Sequence, residues 1–238
     1  MASGVMIFAE QREGKFRKVA YELLNIGRQL ADQLGGPLSA VVVGKGVKDL
    51  ASTLGKYGAE KVYVIDGDLF ELYSSQGYAS AVANAIKQAD PAVFLTGASA
   101  MGKDLTPRVS AKLGVGMASD CTALEVVDGK LQITRPVYSG KCYIKLELAG
   151  TPQIASVRPN TYPVAEEKEG SAEIVEVDAG ISPDEIKAKV VKVEKTAEGK
   201  IELTEAEKIV SGGRGMKSKE NFKILFELAD VIGAAVGA

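Results

Sequence analysis

Residues 5–97 alternate between short, continuously apolar runs and segments of helical period, and few folds accept that pattern. The runs are "GVMIFAE", "PLSAVVVGKG", "KVYVID" and "PAVFLTGAS". Between the first two, Val19, Leu23, Ile26 and Leu30 recur at helical spacing and Gly35-Gly36 ends the pattern. Helices are expected likewise through "VKDLASTLGKYGAE" and "YASAVANAIKQAD". Strands without polar alternation, separated by helices, predict a parallel sheet covered on both faces.

Beyond residue 115 the texture changes. "SDCTALEVVDGKLQITRPVYSGKCYIKLELAGTPQIASVRPNTYPV" reads as strand after strand, with turn signals at Asp128-Gly129 and Ala149-Gly150. These segments are expected as β-hairpins added to the parallel sheet. In 165–200, Ser182-Pro183-Asp184-Glu185 has capping-box spacing, whereas "AKVVKVEK" alternates as an edge strand would, with a linker expected at about 195–203. From Leu203 a second α/β pattern begins. "LTEAEKIVSGG" gives a helical turn and a strand; "SKENFKILFELADVIGA" places Phe222, Leu225, Ala229 and Ile232 on one helical face, with Ser218 as N-cap; "AAVGA" opens another strand. The domains are accordingly 1–195 and 196–238, the second too small to bury a core alone.

Composition narrows the chemistry. A net charge of -2 supplies no field for nucleic acid or an anionic membrane, and no apolar run is long enough to span a bilayer. The N-terminus shows no signal-peptide pattern, and two cysteines without a CxxC point to a reducing cytoplasm. Cys121 and Cys142 are both expected to be buried as small hydrophobes. The chain has no histidine. That excludes a Ser-His-Asp triad, a Cys-His pair and a His-ligated metal, so any redox chemistry belongs to a cofactor.

Three motifs stand out. "SGGRGMKSKENF" (211–222) is a glycine turn between a strand and a helix; Gly212, Gly213 and Gly215 let a backbone approach an anion, and Arg214 adds a planar cation. The same residues also suit a plain turn with a surface arginine. "TGASAMGKDLTPR" (96–108) lies at the carboxyl edge of the sheet, where α/β folds bind ligands. There Asp104 is placed as a helix cap and Pro107 in the first turn; Asp104 and Arg108 also suit an ion pair that fixes the loop. "TRPVYSGK" (134–141) and "SVRPN" (156–160) each carry an Arg-Pro pair, confined by proline to strand edges or bulges, with Arg135 and Arg158 facing solvent, a partner or an acidic ligand.

Taken in order, "VMIFAE", "GKDLTPRVSAKLG", "TRPVYSGK", "SVRPN" and "SGGRGMKSKENFKILFELADVIGAAVGA" make the chain resemble the α subunit of electron-transfer flavoproteins end to end. The resemblance implies an N-terminal α/β domain of the adenine-nucleotide α-hydrolase-like type, an incomplete second α/β domain that binds FAD, and a β subunit completing a heterodimer. It implies electron transfer from flavin dehydrogenases to a quinone oxidoreductase or another acceptor, without turnover of a substrate by this chain alone. Arg214 matches the family arginine beside FAD, positioned by Gly212, Gly213 and Gly215. The family continues past position 238 with further flavin contacts, and Lys103 stands where arginine is more usual. The alternatives are a non-redox module that docks the β subunit and an adenine-nucleotide-binding protein, which "AEQREGKF", with its single glycine, serves poorly.

Overall fold

The computed structural model describes residues 2–194, 203 and 206–238. They form two compact units, Met1–Val190 and Val191–Ala238.

In the first unit, β1 (Val5–Phe8) runs into a minimal hairpin, β2 (Gln11–Arg12) and β3 (Lys15–Phe16). Then come α1 (Lys18–Leu34), β4 (Leu38–Gly44), α2 (Lys48–Ser52), β5 (Lys61–Asp66), α3 (Ser75–Ala89), β6 (Val93–Gly97) and α4 (Ala100–Leu113). The remainder is mostly strand: β7 (Met117–Cys121), β8 (Ala123–Val127), β9 (Lys130–Val137), β10 (Cys142–Leu146), β11 (Gln153–Val157) and β12 (Glu173–Glu176). Seven strands make one sheet in the order β12-β5-β4-β1-β6-β11-β7. Every neighbouring pair in it is parallel.

Alternating side chains supply two cores. Val5, Ile7, Leu38, Val42 and Leu95 pack with Leu23 and Leu24 of α1; Met6, Phe8, Val41, Val43 and Phe94 pack with Val82 of α3 and Leu105 and Val109 of α4. All four residues of β1 and all seven of β4 are buried, which is why these runs carry no polar alternation. Gly35, left-handed at φ 69°, closes α1 as its glycine pair predicts.

The strand-rich stretch holds two hairpins, as expected, and also sends strands into the large sheet. β8, β9 and β10 form a separate antiparallel sheet, order β10-β9-β8, and its Leu124, Leu131 and Ile133 join the α1-side core. The turn at Asp128-Gly129 is a hairpin as expected, both residues left-handed. The Ala149-Gly150 turn is not: it leads from β10 into β11, which enters the large sheet between β6 and β7. The second hairpin turn falls at Tyr138-Ser139, both left-handed, closed by the Gly140 N–H donating to the Val137 carbonyl at 3.1 Å. A bulky residue held at positive φ carries about 1–3 kcal/mol of strain.

Other expectations shift as well. The edge strand is Glu173–Glu176, not "AKVVKVEK", and 187–194 forms no strand. β12 pairs with β5 over four residues, from Glu173–Lys61 to Glu176–Val64, and its two glutamates also meet Lys61 and Lys48 in exposed ion pairs. The capping box at Ser182 is present, on a single 3-10 turn. The segment after β4 is helical for five residues before tightening into 3-10 turns. The linker expected at 195–203 lies, apart from Leu203, outside the described residues.

The second unit is one βαβ motif. β13 (Ile209–Ser211) and β14 (Ala235–Gly237) pair in parallel, joined by α5 (Lys223–Ile232). Phe222, Leu225 and Ala229 face inward as their spacing predicts, but Ile232 is exposed. Ser218 does not cap α5. Its hydroxyl donates to the Glu220 carboxylate, which lowers that group's pKa, and a 3-10 turn over Glu220–Phe222 precedes the helix.

Phe94 is fully buried. Phe94→Ala should therefore destabilise the first unit by about 3–5 kcal/mol, read as a lower urea midpoint with little change in slope.

Candidate functional site

The glycine turn at 212–215 is built from β13. The Gly212 N–H donates to the Gly237 carbonyl at 3.1 Å, extending the β13–β14 pairing by one residue. Gly212 is buried because α5 packs on it: a Cβ there would come within 2.6 Å of Leu225 Cδ1 and 2.8 Å of Met216 Cγ. Gly213 and Gly215 differ. Neither has a positive φ, and a Cβ on either would meet nothing within 4 Å. Nothing among the described residues requires glycine at those two positions, and both are exposed.

Arg214 opens a 3-10 turn, Arg214–Met216, closed by the Met216 N–H on the Gly213 carbonyl at 3.0 Å. Its side chain is exposed, and it makes no ion pair with the described residues. The helix does not follow the turn directly, since α5 starts eight residues beyond Gly215, after a 3-10 turn over Glu220–Phe222. A shallow groove of about 570 Å³ adjoins the turn, lined by Gly215, Met216, Glu220, Asn221, Lys223, Ile224 and Glu227. An uncommitted planar cation between two glycines of open backbone suits a planar anionic group brought against the main chain. By that test the residues present fit a flavin nucleotide.

At the carboxyl edge of the large sheet, the chain's own carboxylates occupy the places an anion would take. The sheet order reverses between β1 and β6, the usual ligand crevice of such folds. There Glu10, 3% exposed, accepts the Ser99 hydroxyl. Asp66 accepts the N–H groups of Gly46 and Val47 at 2.7 and 2.8 Å. A nucleotide phosphate at either place would have to displace a carboxylate.

The cap of α4 is Ser99, accepting the Gly102 N–H at 3.0 Å, rather than Asp104. Gly102 is obligatory, because a Cβ there would lie 1.8 Å from the Gly97 carbonyl oxygen. Pro107 sits inside the helix, not in its first turn. Asp104 accepts from the Tyr73 hydroxyl at 2.7 Å and from Arg108 at 3.0 Å, so the ion-pair reading of these two residues describes them. The Tyr73 bond is the larger cause of Asp104's lowered pKa, and burial raises that of Tyr73.

Arg158 follows β11 and forms a two-pronged pair with Asp120 at 2.6 and 3.0 Å, holding that carboxyl below its usual range. Pro136 lies in β9 beyond the end of β8, so its missing N–H breaks no ladder bond. Cys121 is buried, which pushes its thiol up to about 12, but Cys142 is exposed on β10 and corrects the expectation for that residue. Sequence reasoning did not find Glu10, Tyr73 or Asp120: each meets its partner across at least 31 residues, beyond any local spacing. Among the described residues no cluster suits a metal, and no helix is long and apolar enough to cross a membrane.

Gly212→Ala should lower the stability of the second unit, whereas Gly213→Ala and Gly215→Ala should stay within about 0.5 kcal/mol of the parent in thermal denaturation. Asp104 and Asp120 have folded pKa values below their unfolded ones. Their contribution is therefore complete above the ordinary carboxylate pKa of about 3.9 and is lost as pH falls further. Asp120→Asn should flatten the stability profile in that acidic window.

Comparison with known proteins gives a consistent result. The electron transfer flavoprotein domain model matches residues 5–182, and the electron transfer flavoprotein FAD-binding domain model matches residues 202–238. The chain is 39% identical over 237 residues to "Electron transfer flavoprotein subunit alpha" of Thermoanaerobacterium thermosaccharolyticum, covering 98% of this chain and 72% of that protein. It is 41% identical to the protein of the same name from Megasphaera elsdenii (99% and 71% covered) and 34% identical to Protein FixB of Azotobacter vinelandii (98% and 67%). With its parallel-sheet domain and the glycine turn at 212–215, the chain belongs to the electron transfer flavoprotein α-subunit family.

Proposed function

We propose that this chain works as the electron-carrier α subunit of a heterodimer, taking electrons from flavin dehydrogenases and passing them to a quinone oxidoreductase or another acceptor. It does so in the cytoplasm, without a turnover reaction of its own. Membership of the family supports the carrier role, and the match of residues 202–238 to the FAD-binding domain model supports FAD as the group that carries the electrons. The observation that carries the site is Arg214, exposed and without an ion pair among the described residues, between Gly213 and Gly215.

Bound FAD supplies one- and two-electron redox chemistry. The chain's own residues hold it and set its electrostatic surroundings. Gly212 lets α5 close on the turn, and Gly213 and Gly215 clear the backbone for close approach. Arg214 sets a permanent positive charge beside the group, which favours its more negative, reduced form. We place the domain boundary at 195/196, with the N-terminal domain meeting the β subunit.

The test is the complex of the full chain with a β-type subunit. The parent should retain flavin absorbance and be reduced by a flavin dehydrogenase; a colourless complex would sink the carrier reading. Arg214→Ala should weaken flavin retention at least tenfold and move the midpoint potential to more negative values. A potential unchanged in Arg214→Ala would remove Arg214 from the site.

A further inference from the structure

A second charged corner lies on the first unit, at the carboxyl ends of β7 and β11 and next to the crevice between β1 and β6. Asp120 is left-handed at φ 56°, at the bulge where β7 leaves register with β11, and Ser156 Oγ accepts its N–H at 3.1 Å. Three cations surround this one carboxylate: Arg158, paired with it, and Lys103 and Arg135, whose charges also act on it. Neither Lys103 nor Arg135 forms an ion pair among the described residues.

Arg135 is the unusual member. It stands opposite Ile144 and two residues from buried Ile133, so its stem lies on the packed face of the small sheet. Its Nε is buried without a hydrogen-bond partner, and its guanidinium pairs with no carboxylate of the described residues. The adjoining hairpin presents Tyr138, 79% exposed on its strained turn, and Tyr143, 66% exposed. Tyrosine and arginine together are the residues that anchor protein interfaces. Exposed tyrosines beside arginines favour a segment of another polypeptide as the occupant.

We propose that the corner formed by Lys103, Asp120, Arg135 and Arg158, flanked by Tyr138 and Tyr143, docks an acidic segment of a partner protein, one of whose carboxylates pairs with the Arg135 guanidinium. The Asp120–Arg158 pair is exposed and contributes little stability by itself, so its service is to hold the arginine fork in place. Complementarity of charge selects the occupant.

The test titrates the full chain with acetyl-hexaglutamate-amide by calorimetry and maps amide shifts by NMR. Binding should weaken as salt rises, and the shifts should centre on Lys103, Asp120, Arg135 and Arg158. Arg135→Gln and Tyr138→Ala should each weaken binding at least tenfold; Tyr138→Ala, at a solvent-exposed tip, keeps the test independent of folding, with thermal midpoints as the check. Four results would overturn the proposal: no binding, shifts spread over lysines elsewhere, affinity unchanged in both variants, or equal competition by phosphate or AMP, which marks a small-anion site. Sedimentation showing a dimer of this chain that Tyr138→Ala dissociates would assign the corner to self-association and overturn it too.

Discussion

Strand β1 has no face to spare for a polar side chain. It lies between β4 and β6 in a parallel sheet, with α1 on one side and α3 and α4 on the other, and each of its residues is buried. The same holds for β4 and β6. Polar chemistry is thereby driven to the ends of the strands. Glu10, Asp66, Ser99 and Asp120 all stand at or just beyond a carboxyl end, and each answers a hydroxyl, an N–H or an arginine there. The apolar layers decide where the polar groups go; the polar groups then tie the loops to one another.

The second unit follows a different economy. With one helix over two paired strands, it buries, among its described residues, Gly212, Ala229, Ala235 and Gly237. Ile224, Leu228 and Val231 of α5 remain open to solvent. Gly212 is fixed by packing, while a side chain at Gly213 or Gly215 would touch none of the described residues. That contrast separates glycines that serve folding from glycines that suit a bound group.

The parallel core was legible in the sequence because burial on both faces writes itself as uninterrupted apolar runs. "PLSAVVVGKG" and "PAVFLTGAS" became β4 and β6 with little adjustment. Strand assignment failed where local pattern and tertiary pairing part company. "AKVVKVEK" has the residues of a strand but forms none among the described residues, whereas "SAEIVEVD" supplies β12, which pairs in register with Lys61–Val64 of β5. Ser99 took the cap assigned to Asp104 because a cap is chosen by backbone geometry at the strand exit, not by the nearest acidic residue. The glycine turn was visible as a motif. Its distance from the start of α5 was not, since 3-10 turns leave no periodic signal at that length.

An open sheet has two edges, and each is a template on which another chain can build. Here β12 is only four residues long and carries glutamates at both ends, held by lysines. At the other edge β7 is bent by left-handed Asp120, so its hydrogen-bonding groups cannot line up with a straight strand for more than a few residues. Short, charged and kinked edges are those from which edge-to-edge aggregation does not propagate. The bulge that aims Asp120 at Arg158 is thus also the kink that keeps this edge of the sheet from presenting a straight strand.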